Sequence, residues 1–158
     1  MNTQEYEIII TKYLDCIYRV AVNGCKNYAD AEDIVQNTFV KLWERDEEFD
    51  NEEHLKKWLI RVTVNECNSL WRSAWKRCTA YLEELTQEPV FSTPEKSNLY
   101  FAVRELPQKY RQIVHLYYFE EYSVKEIAEI MNLSETAVQT RLLRARQKLK
   151  EILKEAWQ

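Results

Sequence analysis

Glycine is nearly missing from this sequence, with one residue in 158, and there are only three prolines. Ordinary usage is about 7% and 5%. Hairpin turns draw on glycine, and phosphate-cradling loops need several. A sheet protein and a Gly-rich nucleotide loop are therefore both excluded, and a mostly helical fold is expected. No run approaches the roughly 18–20 apolar residues that span a bilayer. Met1-Asn2-Thr3-Gln4-Glu5 also lacks the basic patch and apolar stretch of a signal peptide. Histidine is scarce as well: His54 and His115 stand at no metal-ligand spacing, and no nucleophile elbow is present. No enzyme, metal or cofactor is expected. Cys16, Cys25, Cys67 and Cys78 form no C-x-x-C pair, so they read as buried free thiols of a protein in a reducing, cytoplasmic compartment.

What is there suffices for a core. Hydrophobic residues make up 46% and charged residues 30%. One domain of this length buries roughly 70% of its unfolded surface, and two halves nearer 60% each. The net charge of -4 argues against a nucleic-acid partner, but its distribution does not. Glu44 to Glu53 carries seven acids against Arg45 alone. Lys56 to Arg77 carries six basic residues against Glu66 alone. Thr136 to Lys150 carries five basic residues and no acid. Two basic segments in an acidic chain point to localised contacts with a polyanion.

Apolar periodicity places the helices. Ile9, Tyr13, Ile17 and Val20 mark a helix over residues 4–22, with Gly24 as its C-cap. Asp30 is expected to cap a second helix, with Glu32 and Asp33 in the first turn and an inner stripe of Ile34, Val35, Thr38, Phe39 and Leu42. A long helix from about 53 to 77 offers Leu55, Trp58, Leu59, Val62 and Cys67 to the core. Residues 79–93, with Pro89, Ser92 and Thr93, lose the pattern and read as a linker. Thr93-Pro94 restarts a helix, Leu106-Pro107 interrupts it, and Pro107 to Tyr118 forms another. The fold class is all-α: two small helical domains, 1–78 and 94–158, joined by the linker.

The strongest constellation follows. Ser123-Val124-Lys125-Glu126 has the capping-box pattern, and the helix it opens is expected to bury Val124, Ile127, Ala128 and Met131. It ends at Asn132, which tolerates a left-handed turn. Ser134 then caps a second helix, completing a helix-turn-helix. At 100° per residue, Val138, Leu142, Ala145 and Leu149 face inward. Thr136, Gln139, Thr140, Leu143 and Arg144 lie opposite, flanked by Arg141 and Arg146. Such a face suits the major groove: Gln pairs with adenine, Leu143 meets a thymine methyl, and arginines hold phosphates. In the other basic segment Trp71 and Trp75 stand four apart beside Arg72, Lys76 and Arg77. Aromatics among cations suit stacking of unpaired bases, although Trp at helical spacing is commonly core.

Residues 106–146 (Leu106-Pro107, Tyr118-Phe119-Glu120, Ser123 to Ala128, Arg141 to Arg146) resemble region 4 of bacterial sigma factors. Tyr18 to Ala21, Asp30 to Phe39 and Trp58 to Asn65 resemble region 2. Both, in this order and spacing, are similar to the compact extracytoplasmic-function (ECF) class. The resemblance implies that Asp33, Gln36 and Asn37 dock on core RNA polymerase. It implies that Asn65 and Arg72, with Trp71, Trp75, Lys76 and Arg77, meet the melted minus-ten element of promoter DNA. It implies that Gln139, Thr140, Leu143 and Arg144 read the minus-thirty-five duplex, with Thr136, Arg141 and Arg146 around them. An anti-sigma factor, often membrane-anchored, and an envelope- or stress-responsive regulon are implied in the same way. Val64 and Ser69 stand where Arg and Asp are frequent in the family, Ala137 replaces a common Thr, and Asn132 the usual turn Gly. The alternative reading is a free-standing helix-turn-helix regulator acting as a dimer on an operator. It explains residues 123–150 but gives Asp30 to Phe39 no task.

Overall fold

A computed structural model of the chain describes residues 1–25, 27–76 and 101–156. The chain divides into two units, Met1–Thr86 and Gln87–Gln158. Their boundary falls within 79–93, but that stretch, Cys78 and the Thr93-Pro94 restart lie outside the described residues. The described residues contain helices and no strand.

Unit 1 packs three helices, α1 (Thr3–Gly24), α2 (Tyr28–Glu44) and α3 (Glu52–Lys76), each against the other two. Asn2 opens α1 with a capping box: the Glu5 amide donates to Asn2 Oδ1 (2.8 Å), and the Asn2 amide to Glu5 Oε2 (3.2 Å). Helix α2 begins at Tyr28, three residues earlier than a cap at Asp30 would place it. Its cap is Asn27, whose side chain accepts from the Asp30 amide at 2.8 Å, so Asp30 becomes a first-turn acid and Glu32 and Asp33 fall in the second turn. The expected stripe Ile34, Val35, Thr38, Phe39 and Leu42 is buried as drawn. Ile17, Val20 and Ala21 of α1 and Leu55, Leu59, Ile60, Val64 and Cys67 of α3 are buried as well, and the three helices pack on one another. Trp58 and Val62 are only half-buried.

Two buried threonines join α2 to α3. Thr38 and Thr63 each donate back to a carbonyl one turn earlier, Ile34 (2.9 Å) and Leu59 (2.7 Å), and their hydroxyls approach to 3.3 Å. A buried hydroxyl without a partner costs about 1–3 kcal/mol, and back-bonding avoids that cost. Cys16, Cys25 and Cys67 are buried free thiols, the last two 3.9 Å apart.

Gly24 does not serve as a left-handed cap: no glycine takes positive φ, and Cys25 after it is extended. Gly24 is instead the buried last residue of α1, and its carbonyl meets Trp71 of α3. The Trp71 indole N–H donates to the Gly24 carbonyl at 2.8 Å.

In unit 2, residues 101–105 are helical, and Pro107 breaks and restarts the helix as expected. The restarted helix is not uniform. An α-helical part, α4 (Gln108–Val114), widens into a π-type turn over His115–Phe119, closed by the Glu120 amide on the His115 carbonyl at 3.0 Å. The buried His115 and Glu120 side chains pair across this turn, Nε2 to Oε1 at 3.2 Å. Helices α5 (Val124–Met131) and α6 (Glu135–Ala156) follow. Val103, Leu106, Tyr110 and Val114 pack on Ala145, with Leu149 and Ile152 beside them. In α5 the fully buried residues are Ile127, Ala128 and Ile130, whereas Val124 and Met131 are half-buried.

Both turns that frame α5 pass through the left-handed region, at Glu121 (φ 60°) and Asn132 (φ 54°). After Asn132 the Leu133 amide reaches the Ala128 carbonyl (2.9 Å), the closure of a Schellman motif. The counterpart at Glu121, Tyr122 amide to Leu116 carbonyl (3.0 Å), spans one residue more because the preceding turn is wide. Asn tolerates this conformation, but Glu pays for its Cβ there. Glu121→Gly is therefore expected to stabilise unit 2 by about 1 kcal/mol, raising its melting temperature by roughly 4–8 °C. A calorimetric scan of wild type and variant checks it.

Candidate nucleic-acid interface

Helix α6 stands on local rules. Ser123 and Glu126 exchange both capping-box bonds (3.1 and 3.2 Å), fixing the start of α5. Asn132 turns the chain, and Ser134 Oγ accepts from the Ala137 amide at 3.1 Å to start α6. Val138, Leu142 and Ala145 are buried and Leu149 is half-buried. Thr136, Gln139, Leu143 and Arg144 are exposed, with Thr140 and Arg141 half-buried beside them. Leu143 is 55% exposed. Leu143 thus stands exposed among hydrogen-bonding residues, on a helix whose inward stripe is already complete.

Arg146 is exposed too, and it is tethered. Its Nε donates to the Tyr118 hydroxyl at 2.6 Å, and the guanidinium lies 5.6 Å from the Tyr118 ring centre and 5.7 Å from that of Tyr117. The Tyr118 hydrogen bond is the largest influence on the group and raises its pKa further, with burial acting against it. Sequence reading missed Tyr118 because it precedes Arg146 by 28 residues, on a turn whose π geometry no periodicity announces.

On α3, Asn65 and Arg72 are exposed, seven residues apart and thus on one face; Arg61 shares it. Trp71 does not. It is half-buried, and its N–H is spent on Gly24, which makes it an anchor between α1 and α3. The side chains of Trp75 and Lys76, and all of Arg77, lie outside the described residues. The segment Glu52–Lys76 thus presents a polar, cationic face on a helix whose other side holds the core.

On α2, Asp33, Gln36 and Asn37 are all exposed. The same face continues through Val40 (50% exposed) and Trp43 (49%). Trp43 is held edge-on by Tyr6, ring centres 4.9 Å apart, and Tyr6 donates to the Phe39 carbonyl at 2.6 Å. The two apolar residues were legible as outliers from the inner stripe. They turn a polar row into a surface with an apolar end, the composition of a protein contact. Among the described residues, no helix is long and apolar enough to cross a membrane.

Known proteins share this organisation. Residues 9–77 match the family model for Sigma-70 region 2, and residues 96–149 that for Sigma-70, region 4. The ECF RNA polymerase sigma factor SigM of Bacillus subtilis is 31% identical over 151 residues, covering 91% of this chain and 92% of its own. The RNA polymerase sigma factor SigV of the same organism is 33% identical over 140 residues, covering 86% and 83%. In fold, the chain is similar to the sigma factor RpoE of Bartonella quintana, crystallised with the anti-sigma factor NepR. That likeness has a TM-score of 0.82 at 23% identity, over 96% of this chain and 98% of that one. With both region models matched in order, and relatives at this identity aligned over most of their length, the chain belongs to the ECF family of RNA polymerase sigma factors.

Proposed function

We propose that this sigma factor, which directs core RNA polymerase to promoters, divides that task between its units. Asp33, Gln36 and Asn37 of α2, extended by Val40 and Trp43, dock on the polymerase. Asn65 and Arg72 of α3, with Trp75, Lys76 and Arg77 after them, hold the melted minus-ten strand. Gln139, Thr140, Leu143 and Arg144 read minus-thirty-five base edges, while Thr136, Arg141 and Arg146 meet the backbone. The observation that carries the reading is α6 itself: a doubly capped helix-turn-helix that buries Val138, Leu142 and Ala145 and offers the other face to solvent. The site of action is the cytoplasm, where polymerase and DNA are. An anti-sigma partner of the kind seen with RpoE is part of the proposal, as is an envelope- or stress-responsive regulon.

Flipping a base out of the stack costs a few kcal/mol. Contacts to the captured strand and the larger polymerase interface offset it. A chain of net charge -4 has little electrostatic attraction for duplex by itself. Weak promoter binding is accordingly expected of the free protein, at micromolar affinity or worse in physiological salt.

Run-off transcription with core polymerase on a pool of bacterial promoter fragments tests this. Discrete start sites should appear only when the protein is added, and Asp33→Ala/Gln36→Ala should reduce them at least tenfold. Transcripts unchanged by the double substitution would remove α2 from the docking role. No transcripts, with specific binding to symmetric half-sites in the absence of polymerase, would establish the operator-binding regulator instead.

A further inference from the structure

The Tyr118–Arg146 pair has a geometry that a solvated arginine does not need. Arginine is a flexible side chain that loses rotamer freedom when it binds. Here that freedom is already restricted, because Nε donates to the Tyr118 hydroxyl at 2.6 Å and the guanidinium rests against two rings. The rings brace each other edge to face, centres 4.9 Å apart and planes at 81°. Nε is the nitrogen on the stem side of the fork. Its use leaves the distal edge, with the two terminal amino groups, as the part shaped for a bidentate oxyanion contact. The Tyr118 oxygen accepts from Nε, so its own O–H remains a donor for the same oxyanion.

Position completes the picture. Gln139, Leu143 and Arg146 follow each other at spacings of four and three and so form one stripe along α6. At 1.5 Å per residue, Arg146 lies about 10 Å beyond Gln139. The major groove is about 12 Å wide. A helix whose N-terminal end reads bases in the groove therefore brings this pair to the phosphate rim as it leaves.

We propose that Tyr118 and Arg146 together form one phosphate-binding unit for the backbone of duplex DNA, with Tyr118 both orienting the guanidinium and donating its own hydroxyl. This rests on the reading of α6 as the DNA-reading helix. The unit is indifferent to base sequence, because it meets the chain of phosphates at the edge of the site.

The test is a set of five variants in reconstituted holoenzyme, with binding to a promoter fragment recovered by run-off transcription measured across a potassium chloride series. Arg146→Ala should lower affinity equally for the promoter and for a scrambled minus-thirty-five duplex, and reduce the salt slope by about one. Tyr118→Phe keeps the ring and the charge but loses the hydroxyl. It should weaken binding about three- to tenfold with the slope unchanged, and Arg146→Lys should keep the slope and lose a similar factor. Combining Tyr118→Phe with Arg146→Ala should cost little more than Arg146→Ala alone. Additive losses, or a Tyr118→Phe variant with wild-type affinity, overturn the unit while α6 keeps its role. The α6 reading itself fails if Gln139→Ala also leaves binding untouched. Tyr118 is 49% exposed, so the substitution does not disturb the core, and an unchanged melting temperature confirms that the readout is binding.

Discussion

Gln139→Ala combined with Arg144→Ala is expected to reduce promoter-specific transcription by at least about 30-fold. A good base-edge contact is worth about 1–3 kcal/mol of discrimination. Two such contacts give roughly 2–6 kcal/mol, and each 1.4 kcal/mol is a factor of ten. Both side chains are exposed, and the packing of α6 depends on Val138, Leu142 and Ala145 instead. Loss of the two polar groups should therefore leave stability within about 0.5 kcal/mol. Run-off transcription at matched protein concentration, beside a urea melt, separates the two quantities. A double variant that transcribes normally would place the reading face elsewhere on the helix.

Leu59→Ala is expected to act through the opposite route. Leu59 is fully buried where α3 meets α1 and α2. Truncating such a leucine costs about 2–5 kcal/mol, part of it for the cavity left behind. Whole domains are stable by about 5–15 kcal/mol, so this change can unfold much of unit 1 at 37 °C. Its signature is a lower urea midpoint with unchanged slope, followed by loss of transcription. Val40→Ala, on the exposed face of α2, provides the contrast: almost no change in midpoint is expected. Equal midpoints for Leu59→Ala and wild type would mean that the packing of α3 differs from that described.

The features legible in the sequence are those whose partners lie close along it. Ser123 and Glu126 are three residues apart, and their capping box was readable because geometry left them few alternatives. The inner stripe of α2 was readable for the same reason. The start of α2 was not. Asn27 and Asp30 are both good caps, and the choice between them depends on where α1 stops. That stop was in turn misread, since the use of Gly24 is decided by Trp71, 47 residues further on. Trp71 suits stacking on a base, but at helical spacing core packing is the commoner role, and the Gly24 carbonyl that its N–H binds agrees with the latter. The π-type turn at His115–Phe119 has no sequence period of its own, and the buried pairing of His115 with Glu120 accompanies it. Tyr118 was not legible because its tie to Arg146 spans 28 residues, whereas Val40 and Trp43 stand out only as apolar residues off the inner stripe. In α6 the exposed stripe was visible because its complement, the buried stripe, obeys the helical repeat.

The closed three-helix packing of unit 1 has a consequence in time. Each of α1, α2 and α3 touches the other two, and among the described residues the core of unit 1 lies wholly before Lys76. Helical domains with such short-range topology fold in microseconds to milliseconds. Translation proceeds at about 5–20 residues per second, so the roughly 80 residues after Lys76 take about 4–16 s to make. The α2 face is thus formed on the ribosome seconds before α6 has been synthesised, and a nascent chain can meet a protein partner before it is able to read a base pair.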